Sequence, residues 1–398
     1  MSDIHPDSSD LSFLEVSLHM RFPAFLLGLG LAVSTASAES MRVYVGTYTG
    51  DKKSKGIYQF DFDSETGKLT PQGLAAEAVD PSFLAIHPSQ KYLYAVSEVG
   101  TYQGKPSGAV LGFAIDKDSG KLSPINAQSS EGAAPCHLVV DKTGRTLLVA
   151  CYSGGSVASL PIAEDGRLSS AASVIRHSGK VALAERQGGP RGHSINIDAA
   201  NRFAVAADLG LDELLVYKLD PARATLTPND PPFAKLTLGT GPRHFAFHPD
   251  GKHAYTCLEI TSGVTALDYN AEKGTLTPIQ TLSTLPPEGK EGNSTAEIQV
   301  HPSGKFVYVS NRGHDSIAIF AVDPVSGKLM AKGRVLTGGK TPRGFGIDPT
   351  GRFLIAANQS TGNLVVFAID LDSGDLKPTG QSVDVPSPVC VKFLRLKD

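Results

Sequence analysis

GPRHFAFHPDGKHAY at residues 241–255 and TPRGFGIDPTGRFLI at 341–355 are two versions of one pattern: a proline, an apolar alternation, a polar turn with glycine, and a second alternation. Alternation of period two marks a strand with one face buried, and the glycine turn marks the reversal between two such strands. Both copies set an arginine directly after the proline, Arg243 and Arg343. A strand needs no fixed charge there, so the arginines ask for a separate explanation.

Aligned on that proline, the chain shows Pro81, Pro135, Pro190, Pro242, Pro342 and Pro388, with Thr295 in the same slot, at spacings of 54, 55, 52, 53, 47 and 46 residues. A third strand ending at or near an acidic residue follows in most units (VLGFAID, LLVYKLD, VTALDYN, IAIFAVD, LVVFAID), and a turn such as SGKL leads to a fourth strand. Four strands in a period of about 50 residues predict the blade of a β-propeller. The last unit, VCVKFLRL at 389–396, supplies one strand only, and MRVYVGTYTG with GIYQFDFD at 41–63 supply the missing second and third. The expected fold is therefore all-β: a seven-bladed propeller of four-stranded antiparallel blades, its ring closed by pairing of the N- and C-terminal strands, which removes free sheet edges.

Composition agrees. The chain has 398 residues, too many for one simple core, with 41 Gly, 26 Pro and only 19% charged residues, as many short strands joined by turns require. A net charge of −3 gives no footprint for nucleic acid or for an anionic membrane. The absence of Trp argues against the WD type of repeat. Cys136, Cys151, Cys257 and Cys390 lack paired spacing, so a zinc cluster is not expected and buried free thiols are, although Cys136 and Cys151 lie near enough in the repeat to bridge.

Residues 1–38 read as an extension outside the repeat. From Met20, one Arg precedes an apolar run from Phe22 to Val33, and Ala36, Ser37 and Ala38 form a small-residue cleavage pattern. The run is too short for a stable membrane span. A signal peptide over 20–38, cut after Ala38, is expected, with a propeller domain over 39–398 in the periplasm or secreted, and no membrane association after cleavage. Asp3, Asp7, Asp10 and Glu15 have the wrong charge for a leader, so Met20 competes with Met1 as the start.

The repeat separates structural residues from functional ones. His87, His248 and His301 close the first strand in the slot that holds Asp141, Asp198 and Asp348 elsewhere. Recurrence in every blade indicates a polar group serving the turn. The start of the first strand is different: Ser82, Cys136 with His137, Arg191 with His193, Arg243 with His244, Glu297, Arg343 and Val389 share nothing but polarity. First strands line a propeller's central channel, and antiparallel pairing sets the ends of the second strands beside them. Those ends carry Glu98, Asp208, Glu259, Asn311 with Arg312, and Asn358 with Gln359. The arginine after the proline is thus expected at one mouth of the channel.

VGTYT at 45–49, GPRHFAFHP at 241–249, SNRGHDSIAIF at 310–320 and PRGFGIDPTGRFLIAANQ at 342–359 resemble the seven-bladed propeller lactonases. That family includes bacterial 6-phosphogluconolactonases of the propeller type and, more distantly, fungal carboxymuconate cyclases. The resemblance implies hydrolysis of a lactone, for which Arg243, Arg343 and Arg191 suit the oxyanion and substrate oxygens. His193, with Asp208 or Glu297 beside it, is the candidate base on water, with His137 and His244 as alternates. Glu259, Asn311, Arg312, Asn358 and Gln359 are expected to contact the substrate. No cofactor or metal is expected, and the partner is a small lactone, unphosphorylated if the protein is exported. A muconate cycloisomerase and a non-catalytic binding propeller are the alternatives.

Overall fold

The computed structural model describes residues 17, 40–50 and 53–396; the expected signal segment, 20–38, lies outside them. Seven four-stranded antiparallel sheets form the blades. Blade 5, for example, runs outward from Pro242–Phe247 through His253–Leu258 and Gly263–Asn270 to Thr275–Ser283. Blades are numbered from the one shared by the chain ends. In blade 1 the C-terminal strand Pro388–Arg395 is innermost and pairs with Ser40–Thr47, Val45 opposite Val391. Gly56–Asp63 and Leu69–Glu77 complete that sheet. The strand Pro388–Arg395 also touches the inner strands of blades 2 and 7, Leu84–Ile86 and Pro342–Ile347, so the ring is closed as the sequence predicts.

The second strands are the most buried, Phe203–Asp208 and His253–Leu258 throughout their length, because they are covered on both faces by neighbouring blades. Repeated polar contacts join one blade to the next. Tyr44, Tyr94, Tyr255 and Tyr308 each donate their hydroxyl to a hairpin glycine carbonyl of the following blade, at 2.8–2.9 Å. The strand-closing histidines do the same through Nε2: His87 to Gly144 O, His248 to Gly304 O and His301 to Gly351 O, at 2.7–2.8 Å. Asp141, Asp198 and Asp348, in the equivalent slot, accept amides of their own turns. All four cysteines are buried free thiols.

One local device shapes the channel. Asp80, Ala134, Gly241, Thr341 and Ser387, each directly before a blade proline, have φ between 42° and 65°, a left-handed kink at the entry to the inner strand. Just beyond it the ladder slips its register between Pro242 and Phe245, between Pro135 and His137, and between Pro342 and Gly344. A bulge re-aims side chains that strict alternation would send to opposite faces. Consecutive residues can therefore both face the channel, as Arg243 and His244 do.

Candidate active site

Arg243, Glu259, Arg312 and His193 meet at the mouth where the inner strands begin. Glu259 follows the second strand of blade 5, and its Oε2 accepts from Arg243 Nε at 3.0 Å and lies 3.0 Å from Nη2 of Arg312, at the end of the second strand of blade 6. The same oxygen is 3.9 Å from Nε2 of His193, on the inner strand of blade 4. Burial pushes the Glu259 carboxyl up, but the charges of Arg312, Arg243 and Arg343 outweigh it and hold the group below its ordinary value. Glu259 is thus an anion clamped by two guanidiniums. The Nε of Arg312 is buried with no hydrogen-bond partner, and burial together with Arg243 brings this guanidinium down to about 10. A buried donor left unpaired is costly unless something binds there.

His193 is 4% exposed, and burial, then the Arg243 and His244 charges, keeps its imidazole well below the usual range. It is neutral at physiological pH. Its Nδ1 sits 3.6 Å from Cys136 Sγ, whose thiol burial holds well above its ordinary value. Tyr152 packs its ring edge-on to His193 at 5.1 Å and lies under the guanidinium of Arg191, also at 5.1 Å. Across the mouth, Arg343 donates to the hydroxyl of Tyr48 at 2.9 Å, and that hydroxyl donates to Glu98 at 2.8 Å. Ser82 also bonds Glu98. Arg243, Arg343, Tyr48, Glu98 and Cys136 line one small recess.

Beneath this basin lies a second layer. Arg243 Nη1 approaches His244 Nε2 at 3.1 Å, and His244 Nδ1 pairs with Glu297 Oε1 at 3.1 Å. His137 packs at 5.3 Å from His244 and at 4.1 Å from Phe83. Burial drives both imidazoles well below their ordinary values and drives the Glu297 carboxyl up. On the far side is a cavity of about 430 Å³, lined in part by Phe83, His137, His244, Phe247, Glu297 and Lys392.

The sequence-predicted residues therefore divide. His193, Arg243, Glu259 and Arg312 converge, Arg343 and Arg191 flank them, and His137, His244 and Glu297 form the layer below. Asp208 does not pair with His193. One of its oxygens accepts the amides of Arg191, Gly210 and Leu211 and the other bonds His177 Nδ1 at 2.6 Å, so the group shapes the loop that presents Arg191. Asn311 and Asn358 are fully buried and bond within and between hairpins, to Thr284, Asn293, Ser316 and Thr337. Gln359 lines an adjoining hollow with Tyr48, Asp80 and Ser387. Tyr48 and Tyr152 were not predicted. Both occupy the same non-repeating slot after the second strand that yielded Glu259, in blades 1 and 3, and aromatic rings there escape a search for charge. Lys392 was missed because the inner strand was read only at its start, and Phe83 because, in the slot of His137 and His244, it carries no polar group.

Residues 42–393 match the family described as "Lactonase, 7-bladed beta-propeller", and the chain belongs to it. The 6-phosphogluconolactonase of Bacillus subtilis is 42% identical over 351 residues, 88% of this chain and 97% of that protein. A 6-phosphogluconolactonase of Formosa agariphila is 33% identical over 309 residues, 77% of this chain and 86% of that one. Among solved structures, the periplasmic gluconolactonase PpgL of Pseudomonas aeruginosa superposes with a TM-score of 0.83 at 34% identity, covering 90% of this chain and all of its own.

Proposed function

We propose that this protein hydrolyses a sugar-type lactone at the mouth formed by His193, Arg243, Glu259 and Arg312. The observation that carries the reading is the convergence of His193, Arg243 and Arg312, from three blades, on one carboxylate oxygen of Glu259. Opening a lactone requires a base on water, positive charge at the carbonyl oxygen, and a proton for the departing ring oxygen. His193 is neutral, and with Nδ1–H directed at Cys136 and its own backbone, Nε2 offers a lone pair to the basin. It takes a proton from water as the water oxygen bonds to the lactone carbonyl carbon. The growing oxyanion rests on Arg243 and Arg312, which remain charged throughout. Glu259, already ionised, stabilises the transient imidazolium, which returns its proton to the ring oxygen when the carbon–oxygen bond breaks. Arg191 and Arg343, each over a tyrosine ring, bind substrate oxygens at the edge.

The relatives named 6-phosphogluconolactonase and gluconolactonase support an aldonolactone as substrate. The leader-like segment at 20–38 and the periplasmic relative favour export, and hence an unphosphorylated lactone. No described helix is long and apolar enough to cross a membrane. Purified protein assayed against gluconolactone and its 6-phosphate, relative to spontaneous ring opening, tests this directly. Acceleration of either supports the reading, and the faster one identifies the substrate. Binding without turnover, or isomerisation of a muconate instead, would overturn it.

A further inference from the structure

The turn after the inner strand is built to one template. Blade 2 has HPSQKY at 87–92, blade 6 HPSGKF at 301–306 and blade 7 DPTGRF at 348–353, whereas blade 5 has HPDGKH at 248–253. In blades 2 and 6 the first residue, His87 or His301, bonds the following blade's turn through Nε2 and a serine hydroxyl through Nδ1, at 2.7 Å. The sixth residue is aromatic, and the rings of Tyr92, Phe306 and Phe353 cover hairpin glycines Gly166, Gly374 and Gly67. Blade 5 departs twice, with Asp250 for serine and His253 for the aromatic. His253 still covers its glycine, Gly327, so the departure keeps the packing and changes the chemistry.

That chemistry is a concentration of lone pairs. Because Gly304 O can only accept, Nε2 of His248 carries the hydrogen, and Nδ1 of the neutral ring is a lone pair that accepts the Asp250 amide at 3.2 Å. It faces Asp250 Oδ1 at 3.0 Å, while Asp250 Oδ2 lies 2.6 Å from His253 Nδ1. An imidazole nitrogen and a carboxylate oxygen at such a distance share either a proton or a metal ion. The three groups offer ligand atoms all within 4.8 Å of one another, whereas a tetrahedral zinc site separates its ligands by about 3.3 Å. Second partners are in place: Gly304 O orients His248, and Asp268 Oδ1 lies 3.9 Å from His253 Nε2. The Asp250 side chain is 27% exposed, which leaves a solvent path for entry and for water ligands.

We propose that His248, Asp250 and His253 form a binding site for a divalent transition ion, at the end of the inner strand opposite the arginine-lined mouth. Two imidazoles with one carboxylate select Zn²⁺ over Ca²⁺ or Mg²⁺. Both histidines pack on blade 6, at Gly304 and Gly327, so the bound ion staples blade 5 to blade 6. It takes no part in hydrolysis.

The test uses the untagged full chain, stripped with chelator and titrated with Zn²⁺ by calorimetry, with Co²⁺ absorption as a second readout. The comparison is Asp250→Ser/His253→Phe, which gives blade 5 the turn sequence of blade 6. Wild type is expected to take one equivalent and to melt at higher temperature with Zn²⁺, and the double variant to bind at least tenfold more weakly with no such shift. Circular dichroism reports whether the variant folds. Should it not, Asp250→Ser alone, which leaves His253 packed on Gly327, is expected to show the same tenfold loss. Absence of stoichiometric binding to wild type, or a variant within tenfold of it, overturns the site.

Discussion

The two ends of the inner strands obey different rules. At the closing end, blades 2, 5 and 6 use a histidine that bonds a turn carbonyl of the following blade, and blades 3, 4 and 7 an aspartate that accepts amides of its own turn, so two contacts recur around the ring. At the starting end no two blades carry the same set, and the side chains pair across blades, as Glu259 does with Arg312. A repeated contact is explained by the ring it holds together. An unrepeated one needs a ligand to explain it, all the more where burial makes charge expensive. Blade 5 breaks the repeat at both ends, with Arg243 and Glu259 at one and Asp250 and His253 at the other.

The contrast is most easily broken at the starting end. His193→Gln is expected to lower kcat for lactone hydrolysis by about 10²–10⁴ while KM changes little, because only the proton acceptor is lost. Near-full activity would remove His193 from the mechanism and leave Glu259 as the base. Arg243→Ala is expected to lower kcat/KM by about 10²–10³, with the far-ultraviolet dichroism of the ring intact. If that variant unfolds instead, the arginine belongs with the structural contacts after all.

The ring was legible because strand alternation and turn glycines recur seven times, and noise in one blade is corrected by the others. Closure was legible because a lone strand at 389–396 and two unmatched strands at 41–63 complete each other. The mouth was legible as a set of slots, since a departure from a repeat is visible in a single chain. Which members share a hydrogen bond was not. The bulge after Pro242 turns both Arg243 and His244 inward, and no pattern of apolar residues records a bulge. Asp208 looked equivalent to Glu259, but it is the last residue of its second strand, in the position of Leu258, whereas Glu259 comes one residue later, so the two side chains leave the backbone on opposite sides and Asp208 stays on the amides of its own loop.

Acid should sharpen the contrast by a smaller amount. His137, His193 and His244 are all buried, and all have folded-state values well below that of free imidazole. The unfolded chain therefore binds protons first, at about pH 6.5, and stability falls as pH is lowered from there toward the depressed folded values. Denaturant titration between neutrality and mildly acidic pH is expected to show this loss. His193→Gln should reduce it by the share of one histidine, whereas His301→Asp, at the closing end, should leave the slope from these three groups in place. Stability independent of pH across that window would mean that the imidazoles are charged in the folded state.

The smallest effect belongs to the repeated contacts taken singly. The Tyr308 hydroxyl donates to Gly374 O at 2.8 Å, fully buried, as Tyr44, Tyr94 and Tyr255 do at their own joints. Tyr308→Phe keeps the ring and its packing and removes one hydrogen bond, leaving a buried carbonyl unpaired, so about 1–2 kcal/mol of stability should be lost. Activity at a temperature well below the melting transition is expected to equal that of wild type, because the contact touches nothing at the mouth. A fall in kcat in this variant with no change in melting would mean that the joint between blades 6 and 7 sets the position of Arg343. The division between ring-holding and ligand-facing residues would then fail at that joint, and the repeated tyrosines would have to be counted among the residues that position the site.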